Sequence, residues 1–466
     1  MSNNGVIALS NGHFLVLSSL WDNAPAVNAG AVTWGNGSIG EVGTLSTANS
    51  LIGSTSADVV GGSESVTLLS NGNYVVKSPY WDSGAAANAG AVTWGNAATG
   101  VKGTISAAKS LVGSAAEDSV GAVLALSNGH YVVSSYLWDN AAVADVGAVT
   151  WGSGTSGVKG VVSAANSLIG STSGDQVGGP VALSNGNYVV GSSEWDNGST
   201  ANVGAVTWAS GTGMTSGVVS AANSVIGTTP NARIGYNEIV ALKNGNYLIV
   251  DSYASNGGLA SAGAVTWCSG TASTSGERTL SNSLFGTQSS DRVGSEGVTL
   301  VNNGGYVVSS SFWRNGAFNA AGAVSFGSGT TGLSGGISAS NSAFGLQSNA
   351  GLEPVVVDNV NGTVYARFLD DGGGRVRVGS QVAGFKSDAS LSSLASSVGS
   401  LSPAFDKATL NYSLTAPNNT SSVTITPTVV DAGATLTVNG SPLTSGTASA
   451  PIDLESEDLC HCGHGQ

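Results

Sequence analysis

One pattern recurs along most of the chain at a spacing of 57 to 60 residues. Each copy holds an Asn-Gly pair followed, two residues after the glycine, by an aromatic residue, and the last copy is a weaker version. The pairs begin at Asn11, Asn71, Asn128, Asn185, Asn244, Asn303 and Asn361. Self-similarity at a fixed period is typical of repeat architectures, in which each copy folds into the same unit and packs on its neighbours. The period predicts seven copies of one structural unit.

The fourth copy shows what that unit is. Val181 to Leu183 precede the Asn185-Gly186 pair and Tyr188 to Val190 follow it, which predicts a β-hairpin. We expect a third strand over Ala205 to Trp208 and a fourth extended segment over Val218 to Ile226, and no helical period is present.

Four short strands per copy are typical of a propeller blade. We therefore predict an all-β fold in which residues 1–386 form a closed seven-bladed β-propeller. Closing the ring would remove exposed sheet edges. A β-solenoid is the alternative, although its rungs are usually shorter than these copies.

Composition excludes several classes of partner. The chain has 466 residues, 14 of them basic and 28 acidic, and a net charge of -14, so it lacks the basic surface that nucleic acid or an anionic membrane requires. Hydrophobic residues still make up 41%, enough to bury a core. No apolar stretch is long enough to span a bilayer, and three cysteines cannot form a disulfide framework.

The repeated unit, of the form "VG..V.AL.NGNYVV.S..WDNG...AGAVTWG.G", resembles a glycine-rich repeat of unknown function in very large bacterial hemagglutinin-like surface proteins. It is more distantly similar to the FG-GAP blade of integrin α-subunits. Many FG-GAP blades hold calcium in an Asp-rich loop, but this chain has Ser184-Asn185-Gly186-Asn187 there. Hard cations prefer several carboxylates, so we expect no metal in these hairpins and no cofactor.

Residues 387–458 differ in composition from the copies before them. The stretch "LNYSLTAPNNTSSVTITPTVVDAGATLTVNGSPLTSG" resembles the cadherin-like β-sandwich of bacterial surface proteins, and Asn439-Gly440 predicts a hairpin turn within it. The sandwich is expected to be incomplete. Residues 459–466, with Cys460, Cys462 and His464, match no structural zinc spacing and are interpreted as a flexible tail.

The Trp-Asp loops are the candidate binding residues. If the FG-GAP resemblance holds, they share one face, where aromatic rings stack on sugars and carboxylates bind hydroxyl groups. The candidates are Trp21, Asp22, Trp81, Asp82, Trp138, Asp139, Trp195, Asp196 and Trp313. The alternative is that a tryptophan present once per blade packs or anchors its loop, since repetition is also what structure alone produces.

Other repeated residues are interpreted as structural. The tryptophans that end the Gly-Ala-Val-Thr-Trp strings are expected in the core, at Trp34, Trp94, Trp151, Trp208 and Trp267. Repeated acids that precede a Val-Gly are expected to cap turns, at Asp58, Asp118, Asp175 and Asp291. His13 and His130 share one hairpin position that Asn fills elsewhere, so we interpret them as exposed turn residues.

These observations predict a non-enzymatic, adhesin-type module of a bacterial surface, which displays propeller loops to a glycan or protein ligand. Its export signal is expected outside this sequence. The alternative is a structural subunit of an extracellular filament or surface layer, assembled by strand exchange at the incomplete sandwich. A propeller hydrolase or lyase built on carboxylates is a third reading, although no nucleophile or phosphate-binding motif is present.

Overall fold

The computed structural model describes residues 4–40, 43–381, 384–385, 391–406, 409–417, 419–429 and 436–454. This part of the chain consists of β-strands and one short 3-10 helix, Asp371–Gly373, which confirms the all-β prediction. None of the described residues lies in a helix long and apolar enough to cross a bilayer. The chain divides into two compact units, Met1–Leu300 with Ser328–Gly336, and Val301–Gly327 with Ile337–Gln466.

The first three copies of the repeat contain fourteen strands. They are β1 (Val6–Ala8), β2 (Phe14–Ser18), β3 (Ala31–Gly35), β4 (Ser50–Ile52), β5 (Val66–Leu68), β6 (Tyr74–Ser78), β7 (Ala91–Gly95), β8 (Gly103–Thr104), β9 (Ser110–Val112), β10 (Ala122–Ala125), β11 (Tyr131–Ser135), β12 (Ala148–Gly152), β13 (Gly160–Val161) and β14 (Leu168–Ile169).

The next three copies repeat this order of elements. Their strands are β15 (Pro180–Ala182), β16 (Tyr188–Ser192), β17 (Ala205–Ala209), β18 (Gly217–Val218), β19 (Ser224–Ile226), β20 (Glu238–Ala241), β21 (Tyr247–Asp251), β22 (Ala264–Cys268), β23 (Gly276–Glu277), β24 (Ser283–Phe285), β25 (Val298–Leu300), β26 (Tyr306–Ser310), β27 (Ala323–Gly327), β28 (Gly335–Gly336) and β29 (Ser342–Phe344).

Each of the first five copies forms one antiparallel meander. In copy one the strands pair in the order β1-β2-β3-β4, and the later copies repeat it as β5-β6-β7-β9, β10-β11-β12-β14, β15-β16-β17-β19 and β20-β21-β22-β24. The predicted hairpin of copy four is confirmed, because Ala182 pairs with Tyr188 across the Asn-Gly turn. Consecutive four-stranded antiparallel sheets are the arrangement of propeller blades.

The fourth segment of the unit differs from the prediction. Val218 to Ile226 is not one extended piece, because it divides into β18 and β19. β18 leaves its own copy and pairs in parallel with β14 of the preceding copy, Leu168 opposite Gly217. The two-residue strands β8, β13, β23 and β28 do the same, so each of the first five sheets has a fifth strand that the following copy supplies.

The apolar core of the first unit lies between the sheets of neighbouring copies. In one cluster Val132 and Val149 of copy three pack with Tyr188 and Val190 of copy four. The first residue of each second strand from copy two to copy six is a tyrosine with at most 1% of its surface exposed: Tyr74, Tyr131, Tyr188, Tyr247 and Tyr306. Burying such a ring stabilises the fold by about 2 kcal/mol. The buried core residues therefore recur along the chain at the period of the repeat.

In the second unit β26, β27 and β29 pair in sequence, and the weaker seventh copy forms a sheet of its own. Its strands are β30 (Val356–Asp358), β31 (Thr363–Phe368), β32 (Arg375–Ser380) and β33 (Gly384–Phe385). The predicted hairpin at Asn361 is confirmed, because β30 and β31 pair on either side of it.

The C-terminal segment forms four two-stranded ribbons, β34-β38, β35-β36, β37-β41 and β39-β40. The strands are β34 (Leu391–Ser396), β35 (Leu401–Ser402), β36 (Ser413–Leu414), β37 (Ser422–Val423), β38 (Ile425–Val429), β39 (Thr437–Val438), β40 (Ser441–Pro442) and β41 (Ile452–Asp453). Asn439 and Gly440 have positive φ and join β39 to β40, as predicted. The Cys/His tail lies outside the described residues.

Candidate functional site

The tryptophans of the Trp-Asp loops point into the protein. Trp81, Trp138, Trp195 and Trp313 have 3 to 6% of their surface exposed, and Trp21 is half-buried. Each of the first three buried rings belongs to an apolar cluster that includes an aliphatic residue of its own copy, as Trp81 does with Ile105. In these positions the four buried rings present no face on which a sugar could stack. The structure therefore favours the packing role for them, and ligand binding at these loops stays a prediction.

The aspartates of the same loops hold the loop backbone. Asp82 Oδ1 accepts a 2.9 Å hydrogen bond from the Asn88 backbone N–H, six residues further along, where φ is 53°. Asp22, Asp139 and Asp196 accept the equivalent bond at 2.7 to 2.8 Å. A carboxylate that accepts this bond stabilises a left-handed residue that would otherwise be strained. These carboxylates lie at the surface, exposed in Asp22 and half-buried in the other three.

A second set of aspartates joins neighbouring copies. Asp118 is buried, and its Oδ2 accepts hydrogen bonds from the Ser114 and Ala115 N–H groups at 2.6 and 2.8 Å. Its Oδ1 accepts the backbone N–H of Asp139, in the Trp-Asp loop of the next copy, at 2.9 Å. The predicted turn caps are thereby confirmed at Asp58, Asp118, Asp175 and Asp291. Burial raises the pKa of Asp175 despite its hydrogen bonds from Ser171, Thr172 and Asp196.

These bonds place two kinds of loop on one face of the first unit. We call this face the loop surface. It consists of the loops between the second and third strands and the turns after the fourth strands, which also meet within a copy, as where the Val59 N–H donates to the Asn28 carbonyl oxygen. It is the only surface that the Trp-Asp loops of the first unit line, so a ligand of these loops would bind here.

Exposed tyrosines of the described chain are confined to the loop surface. The four that are exposed, by 51 to 67%, are Tyr80, Tyr136, Tyr236 and Tyr253. Tyr80 and Tyr253 stand immediately before the Trp position, Tyr136 stands two residues before it, and Tyr236 follows a turn after a fourth strand. The other tyrosines of the first unit are the fully buried residues of the second strands. The exposed aromatic residue is therefore a neighbour of the tryptophan and not the tryptophan itself.

In copies four and five the residue before the Trp position contacts an arginine from the turn after the fourth strand. In copy four Glu194 forms a 3.0 Å salt bridge with Arg233. In copy five the Arg292 guanidinium lies 5.0 Å from the Tyr253 ring centroid, a cation–π contact. The corresponding residues of the first three copies are Leu20 with Val59, Tyr80 with Ser119 and Leu137 with Gln176. The chemistry of this position changes from copy to copy on a constant backbone.

The tryptophans of the third strands lie at the other end of the sheets. They are half-buried and not fully enclosed in the core, although Trp34, Trp94, Trp151 and Trp208 pack against its clusters. Each ring bridges two copies. Trp94 Nε1 donates a 2.9 Å hydrogen bond to the Gly154 carbonyl oxygen of the next copy, which also accepts from Asn71 and Asn73 Nδ2. The same bond joins Trp34, Trp151, Trp208 and Trp267 to Ala97, Gly211, Gly270 and Gly329.

The two histidines take part in this junction. His130 Nδ1 accepts a 3.0 Å hydrogen bond from the Gly154 N–H, and His13 Nδ1 accepts one from Gly37 at 3.2 Å. In copies two, four and five an asparagine side-chain oxygen accepts the same bond. The histidines are turn residues, as predicted, but they hold a neighbouring turn and do not simply face solvent.

Two of the carboxylates that break the repeat pattern, Glu194 and Asp251, are held in ion pairs with arginines. Asp251 is buried in a 2.8 Å ion pair with Arg278, and Glu194 pairs with Arg233. Over the described residues no group of three His, Cys, Asp or Glu side chains is arranged to hold a metal ion.

Comparison with known proteins identifies the repeat. The family model described as "Repeat of unknown function (DUF5650)" matches residues 8–62, 68–122, 125–179, 182–236, 241–295 and 300–353. The seventh copy is outside these matches. The model of the "Cadherin-like beta sandwich domain" matches residues 388–459. The resemblance to hemagglutinin-like proteins and to FG-GAP blades stays an interpretation. No curated protein matches the chain.

Solved structures share only a remote similarity with the chain. A streptogramin B lyase is 10% identical with a TM-score of 0.29, over 81% of this chain and 95% of that one. A putative 6-phosphogluconolactonase from Bacteroides fragilis is 9% identical with a TM-score of 0.28, over 82% and 95%. The Dos1 propeller is 9% identical with a TM-score of 0.30, over 88% of both chains. Similarity at this level carries no argument about function.

Proposed function

The chain belongs to the family defined by the Repeat of unknown function (DUF5650), and we propose that it is a non-enzymatic binding module of an extracellular or cell-surface protein. In this proposal its seven sheets close into a propeller, and the loop surface binds a glycan. The cadherin-like domain acts as a spacer.

The confinement of exposed tyrosines to the loop surface carries the proposal. Tyrosine joins a large apolar ring to a hydroxyl group and loses little side-chain entropy on binding, so it is enriched where proteins bind ligands. Tyr80 and Tyr253 occupy the same loop position three copies apart, and each is exposed by more than half. Single exposed apolar residues are common on any surface, but their concentration on one face indicates a binding surface.

The scaffold suits recognition by rigid display. Buried aspartates and buried tryptophans hold the loops in place. The Trp-Asp loop of copy three, for example, is held by its own Trp138 and by Asp118 of copy two. The residues above them differ between copies, from Leu20 to Glu194 to Tyr253. Rigid elements that carry varied loop residues are the usual construction of binding proteins. Ring faces would stack on the C–H faces of sugars, and the Asp82 and Asp196 carboxylates would accept hydrogen bonds from hydroxyl groups.

A glycan array followed by titration calorimetry tests the proposal. We expect Tyr80→Ala and Tyr253→Ala each to weaken binding about tenfold, because a stacked ring contributes about 1 to 3 kcal/mol to affinity. Met214→Ala is the matched control, since Met214 is 55% exposed in the connection between the third and fourth strands, away from the loop surface. Unchanged affinity in both tyrosine variants would overturn the assignment of the site. Turnover of a polysaccharide would overturn the non-enzymatic reading.

A structural subunit of a filament or surface layer is the second candidate. One observation favours it: copy one contains a strand-forming segment that pairs with no strand in the described chain. The next subsection describes this segment. Electron microscopy of the purified protein separates the two candidates, because a binding module remains a discrete particle and a polymer subunit forms filaments or sheets. Class averages with seven lobes would support the closed ring, and rods would exclude it.

A further inference from the structure

Consecutive copies of the first unit are joined by strand addition. Gly103 and Thr104 pair in parallel with Leu51 and Ile52, the outer strand of the preceding sheet. The Ile105 N–H then donates to the Ile52 carbonyl oxygen at 3.2 Å. Four further junctions repeat this pairing, through β13 on β9, β18 on β14, β23 on β19 and β28 on β24. The chain thus contains five examples of one donor strand fitting one acceptor strand.

Copy one contains a sixth donor. Its sequence, Gly43-Thr44-Leu45-Ser46, differs from the donor Gly103-Thr104-Ile105-Ser106 only by Leu in place of Ile. The glycine that opens each of the five paired donors has φ between 93° and 108°, and Gly43 has a positive φ of 124°. The segment from 43 to 45 forms no strand with any residue that the structure describes. This segment therefore has the sequence of a donor and the positive φ of a donor's first glycine. It has no acceptor strand in the described chain.

Burial around this segment agrees with a missing partner. In copy two Ile105 is 2% exposed and belongs to the same apolar cluster as Trp81, which is 6% exposed. In copy one the corresponding residues, Leu45 and Trp21, are only half-buried. Trp21 is the least buried tryptophan of the Trp-Asp loops. Pairing of the donor would complete this apolar contact.

Copy six contains an outer strand of the acceptor type. Ser342–Phe344 pairs with β27 through Ala323 opposite Phe344, the same register in which Ser283–Phe285 pairs with β22. No parallel strand covers it among the residues that the structure describes. Ser283 and Phe285 are buried under their donor, whereas Ser342 and Phe344 are half-buried. In the seventh copy only three residues separate β32 from β33, too few for a donor segment between them.

We propose that residues 43–45 of one molecule add as a parallel fifth strand to Ser342–Phe344 of a second copy. In the register of the five internal junctions, Gly43 lies opposite Ala343 and Thr44 opposite Phe344. A second copy is the occupant that the chain itself specifies, because it carries both halves of the pairing. Such a contact is heterologous and joins molecules head to tail into a chain or a larger ring. It does not depend on the proposed ligand.

Disulfide trapping tests this pairing in the full chain, with Cys460 and Cys462 changed to Ser so that the tail does not react. Thr44→Cys and Phe344→Cys are prepared as separate proteins and then mixed under oxidising conditions. We expect a covalent dimer in the mixture and none in either protein alone. With both substitutions in one chain we expect a ladder of higher oligomers. Thr104→Cys with Phe344→Cys is the control pair and should give no dimer, because Thr104 is already paired inside its own molecule.

Sedimentation velocity provides a second readout without cysteines. The sedimentation coefficient of the unmodified protein should rise with concentration, and Leu45→Asp should abolish the rise while leaving the circular dichroism spectrum unchanged. Val161→Asp, an exposed position within a paired donor, is the control and should leave the rise in place. A mixture without covalent dimer, a disulfide that forms only within one molecule, or a protein that stays monomeric at every concentration would each overturn the proposal.

Discussion

The indole Nε1 of Trp94 donates a 2.9 Å hydrogen bond to the carbonyl oxygen of Gly154, which lies 60 residues further along the chain. One bond thereby joins the third strand of copy two to the turn of copy three. The same carbonyl oxygen accepts hydrogen bonds from the side chains of Asn71 and Asn73. This peptide group is thus one of the points at which two neighbouring sheets are held together.

Trp94→Phe should lower the free energy of unfolding by about 1 to 2 kcal/mol, because it removes one hydrogen bond and part of the ring contact. Urea unfolding followed by circular dichroism measures the loss. Trp267→Phe should give a similar loss, since Trp267 makes the equivalent bond to Gly329 at 2.9 Å. The two losses should add, because these two junctions lie in different copies and share no residue. A double variant no less stable than either single one would contradict this role.

Asp118→Asn should cost about 2 to 3 kcal/mol, because the buried carboxylate accepts three backbone N–H groups and an amide oxygen cannot accept all of them equally well. The loss is measured by urea unfolding at neutral pH. Asp145→Asn is the control at a half-buried loop position and should change stability by less than about 0.5 kcal/mol. Equal losses at both positions would show that the junction through Asp139 contributes nothing.

The contribution of Asp175 to the free energy of unfolding should depend on pH in the opposite sense to that of an ion-paired carboxylate. Burial raises its pKa above 3.8 in the folded protein, so the folded state binds the proton more tightly than the unfolded state does. The free energy of unfolding contributed by this group should therefore fall as pH rises through the interval above 3.8. We expect the stability difference between the wild type and Asp175→Asn to shrink between about pH 4 and pH 7. A difference that grows over this interval would show that its three hydrogen bonds outweigh burial.

The buried ion pair of copy five goes together with changed residues at three positions of the repeat. Asp251 stands where copies one to four and copy six have Ser, Ala254 where the others have Trp, and Arg278 where the others have an aliphatic residue. Both charged side chains are nearly inaccessible, with 3 and 6% exposed. Arg278→Val alone should cost about 3 to 5 kcal/mol, because it leaves a buried charge unpaired.

Restoring all three residues, as Asp251→Ser with Ala254→Trp and Arg278→Val, should recover the wild-type stability or exceed it. Thermal unfolding of the single and triple variants measures both effects. A triple variant as unstable as Arg278→Val alone would show that the three positions do not compensate one another.

Cys268 should be unreactive in the folded protein. It is fully buried, and burial raises the pKa of its thiol to about 12, so almost no thiolate exists at neutral pH. With Cys460 and Cys462 changed to Ser, we expect a thiol reagent to label the native protein only as fast as it unfolds. In guanidinium chloride one thiol per chain should react at once. Rapid labelling of the native protein would contradict the burial of this residue.

Much of the architecture could be predicted from residues close together in the chain. The Asn-Gly pairs predicted hairpins because positive φ at a turn is a local property, and Ala182 does pair with Tyr188 across such a turn. The fixed spacing of these pairs predicted identical units. The aspartate caps followed from turn chemistry in the same way, since Asp118 bonds residues three and four positions away.

What the tertiary structure alone decided was which side chains meet between copies. The hydropathy of Trp81 and Trp94 is the same, yet the first is buried and the second bridges two sheets, because burial depends on what a different copy places against the ring. Likewise Gly217–Val218 joins the sheet of the preceding copy, a pairing of residues some fifty positions apart. A local pattern specifies turns and strands, but only packing determines which ring faces the solvent.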